Sequence, residues 1–164
     1  MKNKQHTNSS RNAFTMIELM FVIVILGVLA AVALPKFATT RNMADVSKAR
    51  TDVAAIRSSI MTERQSQLIK GVNTYIPKLS SNSTTLFTGD TTPDPDRVLL
   101  AYGIVAGASA TTEGKWTAVD AAYKDYKFYT NGVSVLFTYD SATGLFTCDR
   151  DNATYGTICK QIID

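Results

Sequence analysis

The sequence predicts an α+β chain: a long N-terminal helix, its first half a membrane span, packed on a small antiparallel β-sheet. Three observations carry that expectation. Met16 to Leu34 (MIELMFVIVILGVLAAVAL) is apolar at every position except Glu18. Val46, Ala49, Val53, Ile56 and Ile60 then recur at alternating spacings of three and four, the stripe of an amphipathic helix. Further on, DYKFYT, Asn131-Gly132 and VSVLFTYD spell two alternating strands joined by a two-residue turn of the primed kind.

A chain of 164 residues has room for one domain plus an appendage. Four segments follow from composition: a leader over 1–13, a membrane helix over 14–35, an amphipathic extension over 36–70 and a head over 71–164. Lys2, Lys4 and Arg11 precede the apolar run with no acid among them. The extension carries Lys36, Arg41, Lys48, Arg50, Arg57, Arg64 and Lys70 against Asp45, Asp52 and Glu63, whereas acids outnumber bases in the head.

The apolar run of helical residues would span about 28 Å at 1.5 Å each, close to a bilayer core of roughly 30 Å. Cations ahead of it leave the leader in the cytoplasm and the rest outside, a single-pass arrangement. The same basic start and apolar core, followed by Ala31-Val32-Ala33, also spell a secretory signal cut after Ala33. Against that alternative, Glu18 interrupts the core and the run is longer than such cores usually are.

Glu18 near the helix end has a plain reading, a side chain reaching for headgroups. Yet an ionisable group inside a span costs a few kcal/mol and normally marks function. Arg11 stands two turns back, and no Lys or Arg stands at helical spacing on the outer side, so a partner for the carboxylate is expected from another molecule.

The cationic leader, then Ala13-Phe14-Thr15-Met16-Ile17-Glu18-Leu19, then an apolar run ending in Leu34-Pro35 resembles the N-terminus of type IV pilins and type II secretion pseudopilins. The resemblance covers roughly residues 11–60 and implies the pilin-like fold. It implies cleavage by a prepilin peptidase between Ala13 and Phe14, then N-methylation of Phe14. In a filament Glu18 would neutralise the amine of a neighbouring subunit. One position departs from the family pattern: the residue before the cut is usually Gly, and here it is Ala13. The partners implied are further copies of the chain, the prepilin peptidase and an inner-membrane assembly platform. The place implied is the inner membrane, with a periplasmic C-terminal domain and a filament in the periplasm or at the cell surface.

Gly27 and Pro35 bracket VLAAVAL, a segment weakened at both ends, because glycine lowers helix propensity and proline removes a backbone hydrogen bond. In related filaments this region loses helical hydrogen bonding, which the resemblance implies here. Past Pro35, Arg50, Arg57 and Arg64 repeat every seven residues beside the apolar stripe. They read as a solvated face ahead of a nucleic-acid site. Lys70-Gly71 reads as the helix end.

In the head, residues 73–96 are rich in Ser, Thr, Asn, Asp and Pro, mostly loop with a short strand around Leu86-Phe87. RVLLAYGIVA, residues 97–106, suits a short helix or a buried strand. After the hairpin, SATG makes a second turn and Leu145 to Arg150 a third strand. Val133, Val135, Phe137 and Tyr139 share the face expected to meet the helix. TICKQI would add a strand or a return segment. Cys148 and Cys159 close together at the end of an exported head point to a disulfide, a reading that would fail in the cytosol.

Catalytic patterns are absent. The only histidine, His6, lies in the leader, and there is no phosphate loop or zinc-ligand spacing. Asp94 and Asp96 read as a solvated loop, and Trp116 as a core or loop anchor. Asp149, Asp151 and Asn152 offer oxygens to Ca²⁺, which major pseudopilins of type II secretion hold in C-terminal loops; no EF-hand pattern is present, and no cofactor is otherwise expected. The leading reading is a non-enzymatic filament subunit, a type II secretion-type pseudopilin. Its alternatives are a competence pseudopilus or type IV pilus subunit in DNA uptake, and a non-polymerising, single-pass membrane-anchored binding domain.

Overall fold

The computed structural model describes residues 14–92 and 94–164. The leader 1–13, including Ala13, lies outside the described residues. The chain divides into two compact units, one ending at Thr40 and one covering Arg41–Asp164.

Helix α1 is Met16–Ile69. In the first unit its apolar side chains are exposed along their length, from Phe14 at 85 % to Leu34 at 70 %. Residues that shun water and bury nothing in their own chain suit a bilayer or a packed assembly, and the helix is long and apolar enough to cross a membrane. Helix assignment continues through Pro35.

In the second unit, residues 41–69 contain no glycine or proline, which favours an uninterrupted helix. Ala49, Val53, Ile56 and Ile60 are all buried to within 1 %. The stripe read from spacing is therefore the helix side of the core. The helix ends at Gly71, whose φ of +80° no β-carbon favours. Its N–H donates to the Leu68 oxygen at 3.0 Å and the Val72 N–H to Gln67 at 2.9 Å, a Schellman closure that satisfies two terminal carbonyls.

The head contains a two-stranded antiparallel sheet of β1 (Thr85–Leu86) and β2 (Ile104–Val105). A four-stranded antiparallel sheet follows, ordered β3 (Lys115–Ala118), β4 (Asp125–Thr130), β5 (Val133–Asp140) and β6 (Leu145–Cys148). Register sets Tyr126 against Phe137 and Phe128 against Val135. Every second side chain thus points inward, burying Val135, Phe137 and Tyr139 as the alternation required. Trp116 lies in this core with its ring 5.1 Å from Phe137, and Phe137 stacks on Phe146 at 5.3 Å. Aromatic pairs of this kind hold the sheet beyond their area burial.

At the hairpin tip, Asn131 and Gly132 take φ of 54° and 73°, the left-handed pair that a primed turn needs. Glu113 accepts both of their N–H groups at 3.2 Å, and the Asn42 amide donates to Asn131 Oδ1 at 2.8 Å, tying the tip to α1.

Two readings that the sequence left open are decided, and one strand that it did not flag appears. TICKQI forms no strand: it returns as part of α2, Gly156–Ile163, which buries Cys159 and Ile162 three residues apart on one face. Within residues 97–106 only Ile104–Val105 is a named strand, with Val98 in an isolated antiparallel bridge to Gly89. GKWTAV supplies strand β3, pairing with β4; the hairpin signal alone hid it, since no second turn motif flags its start.

Candidate functional site

The N-terminal site is built on the first turn of α1. Phe14 is the first described residue and is exposed. Thr15 N–H donates to Glu18 Oε2 at 2.9 Å, as does the Thr15 hydroxyl, while the Glu18 N–H donates to Thr15 Oγ1 at 3.2 Å. This is a reciprocal capping box: Thr15 and Glu18 satisfy orphan donors at the helix start. The signal was present in the sequence as Thr-x-x-Glu ahead of an apolar run. Glu18 therefore has partners within its own chain. A carboxylate offers about four lone-pair sites, so the two bonds on Oε2 leave capacity for a cation. The negative charge also sits at the positive end of the helix dipole.

Gly27 lies in the exposed apolar stretch, and a Cβ there would meet nothing within 4 Å. Its small size is thus not demanded by packing inside the chain.

In the head unit the three heptad arginines are engaged in a way their spacing alone did not reveal. Arg50 donates to the Gln161 oxygen in the last turn of α2. Arg57 Nε donates to the Phe146 oxygen at 2.9 Å on the outer side of β6. Arg64 donates to Asn73 and stacks over the Tyr75 ring, 4.7 Å from its centroid. Arg50 stays exposed and Arg57 and Arg64 are half-buried, and each guanidinium joins α1 to a different piece of the head. Burial lowers the Arg57 pKa, with the nearby Arg150 charge adding to the effect.

A buried pair completes the dock. Arg97 Nε donates to Glu63 Oε1 at 2.9 Å, with side chains 9 % and 2 % exposed. The same guanidinium also reaches the Thr74 oxygen at 2.9 Å. Lys70 and Asp96 pair nearby at 2.9 Å on the surface, and the Lys70 hydrogen bond lowers the Asp96 pKa while raising its own. Trp116 is a core residue whose Nε1 donates to Asp52 at 2.9 Å.

The C-terminal cysteines form a disulfide, Cys148–Cys159, with Cα atoms 5.9 Å apart, fastening α2 to β6. Between them, Asp149 Oδ1 accepts the Asp151 N–H at 2.9 Å, and Asn152 Oδ1 accepts those of Thr154 and Tyr155. Asp151 faces Lys160 at 3.7 Å. Ca²⁺ takes six to eight oxygens. Here the Asn152 oxygen is committed to two amides, and among the described residues no three His, Cys, Asp or Glu side chains converge.

Residues 8–34 match the prokaryotic N-terminal methylation motif. The chain is similar to the type IV major alpha-pilin of Moraxella bovis, 26 % identical across 88 % of this chain and 89 % of that one. It is 32 % identical to type II secretion system core protein G of Vibrio cholerae over 52 % of this chain and 54 % of the relative. A fimbrial protein of Moraxella nonliquefaciens is 46 % identical over 35 % of this chain and 37 % of its own length. The chain thus spans between a third and just over half of the latter two relatives. No solved structure matches it. In sequence this chain is pilin-like: it carries a prokaryotic N-terminal methylation motif and is similar to both a type IV pilin and a type II secretion system core protein G.

Proposed function

We propose that this protein is a structural subunit of a pilus-like filament, a type II secretion-type pseudopilin assembled from the inner membrane. The observation that carries the reading is one carboxylate, Glu18, in an otherwise apolar and exposed helix within a methylation motif. Prepilin peptidase would cut between Ala13 and Phe14, and methylation of the Phe14 amine would follow. The new cation would then meet Glu18 of a neighbouring copy, since a charge held in an apolar medium is tolerable when paired. The head would stand in the periplasm, where Cys148–Cys159 can form. A plain membrane anchor would use Glu18 only to cap its own helix and would gain nothing from the charge.

The test is the N-terminus and intact mass of the protein from the membrane fraction of its native host. A chain starting at methylated Phe14 supports the reading. A start at Leu34 makes it a secreted soluble protein, and an intact Met1 a simple anchor; either outcome removes the filament.

The alpha-pilin likeness across nearly the whole chain favours a second reading, a type IV pilus subunit. Sheared cell-surface filaments containing the chain would support it over a periplasmic pseudopilus. A role in DNA uptake draws little from the stem, since Arg50, Arg57 and Arg64 are occupied by the head.

A further inference from the structure

The tip of the β4–β5 hairpin carries a dipeptide with a reactivity of its own. Asn131 is followed by Gly132, and it is the only asparagine of the chain that precedes a glycine. With no Cβ on the residue that follows, little shields the next peptide nitrogen from the asparagine side chain. Both residues are exposed, and a Cβ at Gly132 would meet nothing within 4 Å, so water and solvent base reach the pair.

Contacts within the Arg41–Asp164 unit restrain it. The Asn131 N–H donates to Glu113 Oε2 and the Gly132 N–H to Glu113 Oε1, each at 3.2 Å, so one carboxylate spans two consecutive peptide nitrogens. The Asn42 amide of α1 donates to Asn131 Oδ1 at 2.8 Å and orients the side-chain amide. Elsewhere in the head, Asn82 Oδ1 accepts the N–H groups of Thr84 and Thr85, and Asn152 Oδ1 those of Thr154 and Tyr155. Those side chains are turned onto later peptides, not onto the nitrogen that follows them.

We propose that Asn131 is a deamidation site of this chain and that Glu113 restrains it. The Gly132 nitrogen gives its proton to a solvent base and attacks Asn131 Cγ. The bond from Cγ to the side-chain nitrogen breaks, ammonia leaves and a five-membered imide closes. Water then opens the ring. Cleavage at Cγ leaves an aspartate; cleavage at the main-chain carbonyl leaves an isoaspartate, whose backbone is one carbon longer. The attacking nitrogen has to become anionic beside the Glu113 carboxylate, and like charges disfavour that step. The same carboxylate holds the proton that must leave. Conversion undoes the tip. An aspartate sets a second negative charge against Glu113, and the longer backbone no longer fits the two-residue turn that places Thr130 opposite Val133.

The experiment incubates the purified full-length chain in detergent micelles at mildly alkaline pH, beside the same chain unfolded in urea. Peptide mass spectrometry follows each asparagine. Glu113→Gln and Glu113→Ala are taken through the same course, with Trp116 fluorescence reporting that each is folded. Asn131 is expected to convert ahead of Asn42, Asn73, Asn82 and Asn152, and about tenfold or more slowly in the folded chain than in urea. Glu113→Gln keeps an acceptor oxygen and loses the charge; it should raise the folded-state rate severalfold, and Glu113→Ala should raise it further. Earlier conversion of any of the other four asparagines would remove the site. Equal rates in the folded and unfolded chains, or a folded-state rate that Glu113→Gln leaves unchanged or lowers, would overturn the restraint.

Discussion

Arg57 Nε donates to the Phe146 main-chain oxygen at 2.9 Å, so a side chain of α1 closes an open hydrogen-bonding position on the edge of the sheet. Edge strands left open invite pairing with other chains. The cation restricts that edge and at the same time orients the head on its stem. Arg57→Ala should destabilise the Arg41–Asp164 unit by about 1.5–3 kcal/mol, the range for a hydrogen bond to a charged group. Urea unfolding monitored by Trp116 fluorescence measures it, and an unchanged midpoint would show that the bond is lost to solvent without consequence.

The Glu63–Arg97 pair joins α1 to the segment leading into the second strand of the small sheet. Removing one partner leaves the other charge buried, which costs about 3–5 kcal/mol. Glu63→Ala and Arg97→Ala are each expected to fall in that range. The double variant should be less destabilised than the sum of the two, as a double-mutant cycle on the same unit would report.

Glu18 has two separable roles, as a cap for its own helix and as a charge. Thr15→Ala removes the hydroxyl of the box and should weaken the helix start by about 0.5–2 kcal/mol, with filaments still formed. Glu18→Gln keeps an oxygen for Thr15 and loses the charge; it should be cleaved and membrane-inserted but poor in filaments. Filaments at the normal level from Glu18→Gln would assign the residue to capping alone.

The acid limb of stability has identifiable carriers. Asp140 accepts the Ala142 N–H at 2.9 Å and the Thr143 hydroxyl at 2.8 Å, the first of these doing most to lower its pKa. Asp96 is lowered by Lys70. A folded-state pKa below the unfolded value of about 3.9 means that the contribution is complete above roughly pH 4. It is lost as pH falls through the lower folded-state value. Lys70 is raised, so its share persists below its ordinary value of about 10.4 and is lost as pH rises through the folded value. Melting temperatures across the acid range should fall less steeply for Asp140→Asn than for the unsubstituted head, and an NMR carboxylate titration should place both aspartates below the ordinary value.

Calcium is expected to leave the head unchanged. With the Asn152 oxygen committed to the Thr154 and Tyr155 amides, millimolar Ca²⁺ should not shift the melting temperature of the Arg41–Asp164 unit. A rise reversed by chelator would mean that the loop between the cysteines rearranges to bind.

The membrane-compatible helix, the apolar stripe from Ala49 to Ile60 and the hairpin around Asn131-Gly132 were all legible in the sequence. Each is a local pattern: a run, a helical period, an alternation with its turn, and local sterics and burial suffice to dictate it. The box between Thr15 and Glu18 was equally legible, three residues apart. What the arginines touch was not, because Gln161 and Phe146 lie far along the chain and present only main-chain oxygens, which no side-chain pattern announces. Likewise TICKQI is short enough to serve as strand or helix. It became α2 because the disulfide and the burial of Ile162 against the core select the helical face. Glu63 shows the division most plainly: by itself one acid in a basic stem, it became half of a buried ion pair only when the tertiary fold carried Arg97 to it across the head and removed both from water.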